Sequence, residues 1–295
     1  MEVPLVSVVI PTWNRCEFLS EAIASVLGQT VLSETGSNQG WKRIEIVVVD
    51  DGSEDETASV IRAFGNPAIR HFALPHSGRI SHLRNTGIKW ARGEYLAFLD
   101  SDDLWSPEKL EVQLAGMEAH PHAGFAFTGF QTFDGAGNAR IKLYRSDDMR
   151  LLSVENIFER LMAGGMGIYT STVLIKKEAL ARIGPLDESL TCGDYEFLSR
   201  LAFEFPAVVV HSPLVSIRKH PGNHSALFSA DDLREAIFTV ERAYCARRIS
   251  RGIFVERILS YRAELARVFL NDGDEAEARK QMQGCLSILE NGEYT

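Results

Sequence analysis

Short apolar runs alternate with amphipathic segments along the N-terminal part of the chain. Continuous runs at Val6 to Ile10, Ile44 to Val49 and Tyr95 to Leu99 predict strands that are buried on both faces. Ile69 to Ala73 predicts another strand. Helical segments separate these runs: apolar residues recur at helical spacing from Phe18 to Leu27, and His82 to Ala91 is also predicted to be a helix. Alternating strands and helices are typical of a mostly parallel, Rossmann-like sheet with helices on both faces.

Helix starts in this region are predicted from capping residues. Asn14 is suited to be an N-cap for the helix after the first strand. Ser53 and Glu56 have the spacing of a capping box that opens the next helix. Ser106 and Pro107 predict an N-cap followed by a first helical residue.

The pattern becomes less regular in the second half of the chain. Further strands are predicted at Gly124 to Thr132, Ile141 to Tyr144, Ser171 to Ile175 and Ala207 to Val210. Further helices are predicted at Val154 to Met162, Lys176 to Ile183 and Asp194 to Phe203. His211 to Ser225 is rich in Pro, His, Asn and basic residues, which predicts a loop.

From Asp231 onward the spacing of apolar residues is almost wholly helical. Breaks at Gly252 and at residues 271–273 predict three helices. We therefore expect an α/β domain over residues 1–228 and a helical C-terminal extension over residues 229–295.

Composition narrows the class of protein. A formal net charge of -9 and a pI near 5.5 disfavour nucleic acid or an anionic membrane as the main partner. The 4 cysteines have no paired spacing, so they predict neither a zinc site nor a disulfide framework. The first residues show no basic region followed by an apolar one, and no apolar run approaches transmembrane length. These features predict a cytoplasmic protein, and peripheral contact with the inner membrane face is compatible with them.

Acids crowd the end of the strand at Tyr95 to Leu99. Asp100, Asp102 and Asp103 follow the strand within four residues. Ligands of open α/β sheets bind at the carboxyl ends of the strands, and a hard divalent cation that carries a diphosphate suits clustered carboxylates. The alternative is a turn followed by a helix cap, which explains one or two of the acids but not all three.

Four motifs together resemble the family 2 glycosyltransferases. They occur in the order Pro11-Thr12-Trp13-Asn14-Arg15, Val48-Val49-Asp50-Asp51-Gly52-Ser53, Arg84-Asn85-Thr86-Gly87 and Leu99-Asp100-Ser101-Asp102-Asp103. The resemblance covers about residues 4 to 225 and implies the GT-A nucleotide-diphospho-sugar transferase fold. Members of the family are metal-dependent and usually inverting. They move a sugar from a nucleotide donor to an acceptor hydroxyl or amine.

The resemblance implies roles on the donor side of the site. Pro11, Thr12 and Trp13 would hold the nucleobase and ribose, with Trp13 stacked on the base; the alternative is a strand-to-helix turn with a surface aromatic. Asp51 would accept a hydrogen bond from a uracil ring nitrogen. We expect Asp50 to be the structural member of the Asp50–Asp51 pair.

The Asp-x-Asp motif implies a metal site. Asp100 would contact the ribose, Ser101 would line the donor site, and Asp102 would bind Mn²⁺ or Mg²⁺, with Asp103 in support. The cation offsets the charge of the departing nucleoside diphosphate. Arg84 lies in a predicted helix that faces the crevice, where it would reach the donor; a solvated surface arginine is the alternative.

The acceptor side rests on a less regular motif. Asp194, in Cys192-Gly193-Asp194-Tyr195-Glu196, is the expected general base, although the glutamate that often precedes this Asp in the family is missing. Its alternative role is to stabilise a helix N-terminus. Glu196 is next in line as base. His220 is expected near the metal or the diphosphate, with an exposed polar loop as the alternative.

These residues predict a metal-dependent inverting glycosyltransferase that uses a UDP-sugar and acts in polysaccharide or glycoconjugate synthesis. The acceptor would be a carbohydrate, a lipid-linked sugar or a protein. One alternative is a sugar nucleotidyltransferase, but a Gly-rich loop with Arg and Lys is expected after its first strand. The other alternative is a non-catalytic nucleotide-sugar-binding protein, against which the intact acids argue.

Overall fold

The computed structural model describes residues 4–32, 44–134, 139–142, 152–220 and 229–291. Its strands are β1 Val6–Thr12, β2 Ile44–Asp50, β3 Ile69–Ala73, β4 Tyr95–Phe98, β5 Leu104–Trp105, β6 Phe125–Asp134, β7 Ala139–Lys142, β8 Leu152–Glu155, β9 Val173–Lys176 and β10 Ala207–Lys219. Its helices are α1 Cys16–Leu27, α2 Thr57–Ala63, α3 Ile80–Trp90, α4 Lys109–Ala119, α5 Phe158–Met162, α6 Lys177–Ile183, α7 Asp194–Glu204, α8 Ala230–Cys245, α9 Arg251–Asn271 and α10 Glu275–Asn291.

One central sheet carries the site. Its strand order is β3-β2-β1-β4-β9-β6-β10-β5, with β7 added to β6 and β8 added to β10. The first four strands are parallel, as the strand–helix alternation predicts. Strand β9 then pairs antiparallel with both β4 and β6, while β6 and β10 are parallel to each other. The sheet is therefore mixed: strand pairing is parallel in its N-terminal half and between β6 and β10, and antiparallel in the other pairs.

The two central strands have cores on both faces. Every residue of β1 and β2 is buried. Val9 and Val47 point into a core that includes α7 and the C-terminal helices, whereas Val8 and Ile46 point into a core that includes α1 and α4. Because both faces are covered, these strands appear in the sequence as unbroken apolar runs and not as alternating ones.

Three predicted helix starts are wrong. Helix α2 begins at Thr57, and Ser53 makes no capping box because its Oγ accepts a hydrogen bond from the Asn14 backbone N–H at 2.8 Å. Asn14 has a positive φ of 47°, and its Oδ1 accepts from Glu54 N–H, so it joins two loops and does not cap α1. Helix α4 begins at Lys109, two residues after Pro107, the predicted first residue of this helix.

The predicted loop after residue 210 is largely a strand. β10 continues to Lys219 because residues 213–219 pair with β6. The register shifts on both sides of Pro213, so a bulge accommodates the residue that lacks a backbone N–H. Val154 is also in a strand, β8, and not in the predicted helix. Tyr144 and residues 221–225 lie outside the described residues.

The C-terminal extension forms the expected three helices and packs on the α/β part. The first break lies at residues 246–250, and Gly252 is inside the first turn of α9. Val240 of α8 and Ile258 of α9 share a buried core with Phe197 of α7. In the part of the chain that the structure describes, every helix is too short or too polar to cross a bilayer.

Candidate active site

The carboxyl ends of β1, β2 and β4 bring the first, second and fourth motifs to one edge of the sheet. Thr12 is in register with Asp50, and the Asp51 N–H donates to the Thr12 carbonyl at 2.9 Å. Asp100 follows β4, which pairs with β1 on its other side. Residues distant in sequence therefore line one crevice, as the strand order requires.

The paired acids after β2 have different surroundings. Asp50 accepts from the Ser53 N–H at 2.9 Å and contacts His71 Nε2 at 3.3 Å, which fits the structural role expected for it. The buried Asp51 carboxylate accepts three hydrogen bonds, from Ser77 N–H, Ser77 Oγ–H and Gly78 N–H, at 2.8–2.9 Å. Asp51 therefore fixes the segment before α3.

The β1 end offers an aromatic surface and one unpaired hydroxyl. Trp13 is 46% exposed and stacks on His76, with ring centroids 4.5 Å apart. Thr12 Oγ1 is buried without a hydrogen-bond partner among the described residues. Pro11 is buried within β1 and is in register with Val49 of β2, so it contributes to this end of the crevice through packing. A flat ring next to an open edge is suited to stacking on a nucleobase.

Each member of the Asp100–Asp103 segment has a different environment. Asp100 is 36% exposed, and its backbone N–H donates to Ser171 Oγ at 3.1 Å. Ser101 is buried. Asp103 is also buried and accepts from Ser171 Oγ–H at 2.7 Å and Arg218 N–H at 3.2 Å. Burial, together with the neighbouring acids, raises the pKa of Asp103 well above its usual range.

Asp102 and His220 meet at the open side of this segment. Nε2 of His220 lies 3.0 Å from Oδ2 of Asp102, although 118 positions separate the two residues in the chain. The described residues contain no cluster of three or more His, Cys, Asp or Glu side chains that would enclose a metal ion. The site therefore offers a metal ion two possible protein ligands, one carboxylate and one imidazole.

That pair fits a divalent ion whose other ligands come from a substrate. The 3.0 Å separation is a hydrogen-bond distance, and it places an imidazole beside a carboxylate, two groups that can bind a divalent ion. Mg²⁺ is usually held by one or two protein groups and by substrate phosphates. His220 lies at the end of the described β10 segment, and its ring contacts Phe18 of α1 with centroids 4.9 Å apart.

Arg84 links the two halves of the site. It lies on α3 and is 2% exposed, which excludes the solvated surface arginine. Its guanidinium donates to Asp100 Oδ1 at 2.8 Å, to Thr170 Oγ1 at 3.0 Å and to Asp194 Oδ1. The two carboxylates raise the pKa of Arg84, which opposes the effect of its burial, so the guanidinium stays charged. Direct contact between Arg84 and a donor stays a prediction.

Asp194 is the first residue of α7 and faces the same crevice. Gly193 before it adopts a left-handed φ of 67°, a conformation that glycine adopts without strain. Removal from water raises the pKa of the Asp194 carboxyl to about 6; Arg84 opposes this shift and Asp100 adds to it. The side chain is still 31% accessible to solvent, so an incoming hydroxyl can reach it.

The second candidate for the base has a structural environment. Glu196 is 2% exposed, and its carboxylate accepts from Arg200 Nε at 2.9 Å and pairs with Arg242 at 3.1 Å. Arg200 lies one turn further along α7 and also donates to the Ile183 carbonyl at the end of α6, whereas Arg242 lies on α8. Glu196 is therefore part of an ion-pair network with Arg200 and Arg242. Asp194 is the acid of this motif that lines the crevice.

Four residues around the site were missed by the sequence reasoning. Thr170 and Ser171 come from a single 3-10 turn before β9 and support Arg84, Asp100 and Asp103. His76 backs Trp13, and Glu235 comes from the C-terminal extension. Hydroxyl residues before a strand and a glutamate on an amphipathic helix carry no distinctive local signal, so their roles become visible only in the fold.

Comparison with models of known protein families gives a match over most of the α/β part of the chain. The model described as Glycosyl transferase family 2 matches residues 7–183, more than half of the 295 residues. The chain belongs to family 2 of the glycosyltransferases. The matched region contains all of the proposed donor side of the site except His220.

Individual relatives and solved structures agree on the fold. The UDP-Glc:alpha-D-GlcNAc-diphosphoundecaprenol beta-1,3-glucosyltransferase of Escherichia coli is 36% identical over 113 residues, which are 38% of this chain and 41% of that protein. Residues 1–349 of S. aureus TarS with UDP-GlcNAc superpose with a TM-score of 0.65 at 17% identity, over 98% of this chain and 93% of that one. A mannosyltransferase of Pyrobaculum calidifontis, in complex with GDP-Man and Mn²⁺, gives 0.58 at 19% identity, over 98% and 79%.

These matches confirm the GT-A fold expected from the motifs. The chain spans only part of the curated relatives that it matches, for example 34% of the length of one and 64% of another.

Proposed function

We propose that this protein transfers a glycosyl group from a UDP-sugar to an acceptor hydroxyl of a glycan or glycoconjugate, with inversion at the anomeric carbon. The observation that carries the proposal is the position of Arg84, which holds Asp100 on the donor side and Asp194 on the acceptor side. One buried guanidinium thus ties a ribose-facing acid to a proton-accepting acid within a single crevice.

On the donor side, the proposed contacts follow from the crevice walls. Trp13 presents its exposed ring to the base, and Asp51 offers a carboxylate to a base N–H. Asp100, next to Ser101, faces the ribose with the part of its carboxylate that Arg84 leaves free. These roles are the expectations from the family resemblance. The exposure of the Trp13 ring and of the Asp100 side chain supports them.

Asp102 and His220 would hold Mn²⁺ or Mg²⁺ beside the diphosphate. When bound, the cation offsets the negative charge that develops on the leaving nucleoside diphosphate. The P. calidifontis neighbour is in complex with Mn²⁺, which supports a divalent ion in this fold.

Asp194 would act on the acceptor side as the general base. As the acceptor oxygen forms its bond to the anomeric carbon, the bond from that carbon to the diphosphate oxygen breaks. The electron pair leaves with the nucleoside diphosphate, and the acceptor proton passes to the Asp194 carboxylate. Attack from the face opposite the leaving group inverts the anomeric configuration. A raised pKa suits this task because the carboxylate then accepts a proton more readily near neutral pH.

A donor panel tests the proposal. The wild-type protein is incubated with Mn²⁺ and UDP-glucose, UDP-GlcNAc or GDP-mannose, with synthetic GlcNAc-diphospho-lipid and free oligosaccharides as acceptors. We expect acceptor-dependent release of UDP, and NMR of the product should give a β-linkage from an α-linked donor. Asp102→Ala should abolish release, whereas Asp231→Ala, which removes an exposed carboxylate on α8, should not.

Other results would contradict the proposal. Retention of the anomeric configuration would exclude the single-displacement role of Asp194. Formation of a nucleotide-sugar from UTP and a sugar 1-phosphate would indicate a nucleotidyltransferase. Tight UDP binding without turnover of any donor would indicate a non-catalytic binding protein.

A further inference from the structure

The C-terminal extension contacts the segment that carries the proposed base. The Glu235 side chain on α8 accepts hydrogen bonds from three consecutive backbone N–H groups, those of Thr191, Cys192 and Gly193. One carboxylate oxygen receives the first two, and the other receives the Gly193 N–H at 3.0 Å. These groups directly precede Asp194.

A carboxylate is suited to this position for two reasons. The N–H groups at the start of a helix lack partners within the helix, and the helix dipole adds partial positive charge there. Glu235 satisfies the groups just before α7 begins, at the point where Gly193 has a left-handed conformation. An anion with two oxygens can serve all three donors, which a neutral side chain of the same length cannot do.

The opposite side of the same segment is held by α3. The Ser81 Oγ–H donates to the Leu190 carbonyl at 2.7 Å, and the Ser81 N–H donates to the Thr191 carbonyl at 3.1 Å. Helix α3 therefore supplies donors to the carbonyls of the segment, and α8 supplies the acceptor for its N–H groups. Without Glu235, only the α3 side of these contacts would remain.

We infer that Glu235 is a positioning residue for the transfer reaction, which sets the entry of α7 and so aims the Asp194 carboxylate at the acceptor hydroxyl. The inference rests on the proposed role of Asp194 as general base. It makes the extension part of the catalytic unit, because the residue that orients the base lies on α8 of the extension, whereas the base itself opens α7 of the α/β part. Glu235 touches no reacting atom and acts only through the 191–193 backbone.

Kinetics of Glu235→Gln and Glu235→Ala test the inference. Misplacing a catalytic group by about 1 Å can cost about 10²-fold in rate. We expect kcat to fall about 10-fold in the Gln variant, which keeps one acceptor oxygen, and about 100-fold in the Ala variant. The affinity for UDP with Mn²⁺, measured by calorimetry, should stay within about twofold, since the donor side is untouched. Glu241→Gln is the matched control, because it removes a carboxylate from α8 that faces Arg262.

A double-mutant cycle separates positioning from a general loss of structure. If Glu235 acts through Asp194, adding Glu235→Ala to Asp194→Asn should lower kcat no further. A fall of the same factor in both backgrounds would overturn the inference, and so would a Glu235→Ala variant with wild-type kcat.

Amide hydrogen exchange keeps the inference distinct from the proposed function. We expect exchange at residues 191–193 to accelerate in Glu235→Ala and to stay unchanged in Glu241→Gln, whether or not a donor has been found. Unchanged exchange in Glu235→Ala would overturn the anchoring contact itself. Failure of the proposed function, in contrast, would appear as a wild-type protein that turns over no donor.

Discussion

Replacing Asp194 by Asn separates the chemistry of this residue from its contribution to folding. The amide keeps one oxygen that can accept from Arg84, and Asn is tolerated at helix starts, so α7 should still begin normally. The amide cannot take the acceptor proton. We therefore expect kcat to fall by about 10²–10⁴, with nucleotide affinity unchanged.

The same substitution should stabilise the protein above pH 6. The folded-state pKa of Asp194 is raised from 3.8 to about 6, so its stabilising effect is present below pH 3.8 and is lost as the pH rises through about 6. A shift of about 2 units corresponds to about 3 kcal/mol at 1.36 kcal/mol per unit. Since 31% of the side chain is accessible to water, we discount this to about 1–2 kcal/mol.

Urea unfolding of wild type and Asp194→Asn at pH 4 and pH 8 measures the effect. The variant should gain about 1–2 kcal/mol over the wild type between the two pH values. Asp187→Asn is the control, because its effect on stability should change with pH in the opposite direction. That carboxylate has the same 31% exposure, but hydrogen bonds from Ser189 lower its pKa, so its stabilising effect is present at pH 8 and is lost as the pH falls.

Two results would refute the reasoning. Normal turnover of Asp194→Asn would move the general base to another residue. A variant that is less stable than wild type at pH 8 would mean that the Arg84 pairing outweighs the cost of removing the carboxylate from water.

Three further predictions concern the proposed metal ligands, Asp51 and Glu196. Asp102→Ala and His220→Ala should each abolish Mn²⁺-dependent UDP binding in calorimetry, and full binding in either variant would exclude that ligand. Asp51→Ala should weaken UDP binding by about 1.5–3 kcal/mol. It should also lower the free energy of unfolding by about 2–4 kcal/mol, because three hydrogen bonds are lost. Unchanged UDP affinity would leave Asp51 only a structural role. Glu196→Gln should lower stability by about 1–3 kcal/mol and leave kcat per folded molecule unchanged, whereas loss of kcat in a folded variant would make Glu196 the base.

The elements that the sequence predicts best are the strands that are buried on both faces. Val6 to Ile10 and Ile44 to Val49 are continuous apolar runs, and continuous burial on both faces leaves that pattern directly in the chain. Acids placed just after such runs must then meet at one sheet edge, which is why the sequence alone predicts that Asp51, Asp100 and Asp102 lie near one another.

Features that depend on long-range pairing were not predictable in this way. The C-terminal half of β10 contains Pro213 and polar side chains, and only its pairing with β6 makes it a strand. Nothing local indicates that Arg84 is buried, because its two carboxylate partners lie 16 and 110 positions away. Glu235 is a further case, since an exposed glutamate on an amphipathic helix has the same local pattern.

Diffraction at the manganese edge from crystals grown with UDP and Mn²⁺ tests the central claim most directly. We predict one anomalous peak in the crevice, about 2.1–2.2 Å from Asp102 and His220, with the diphosphate on its open side and the ribose beside Asp100. A nucleotide bound elsewhere, or one bound in this crevice with the ion away from both side chains, would contradict the account.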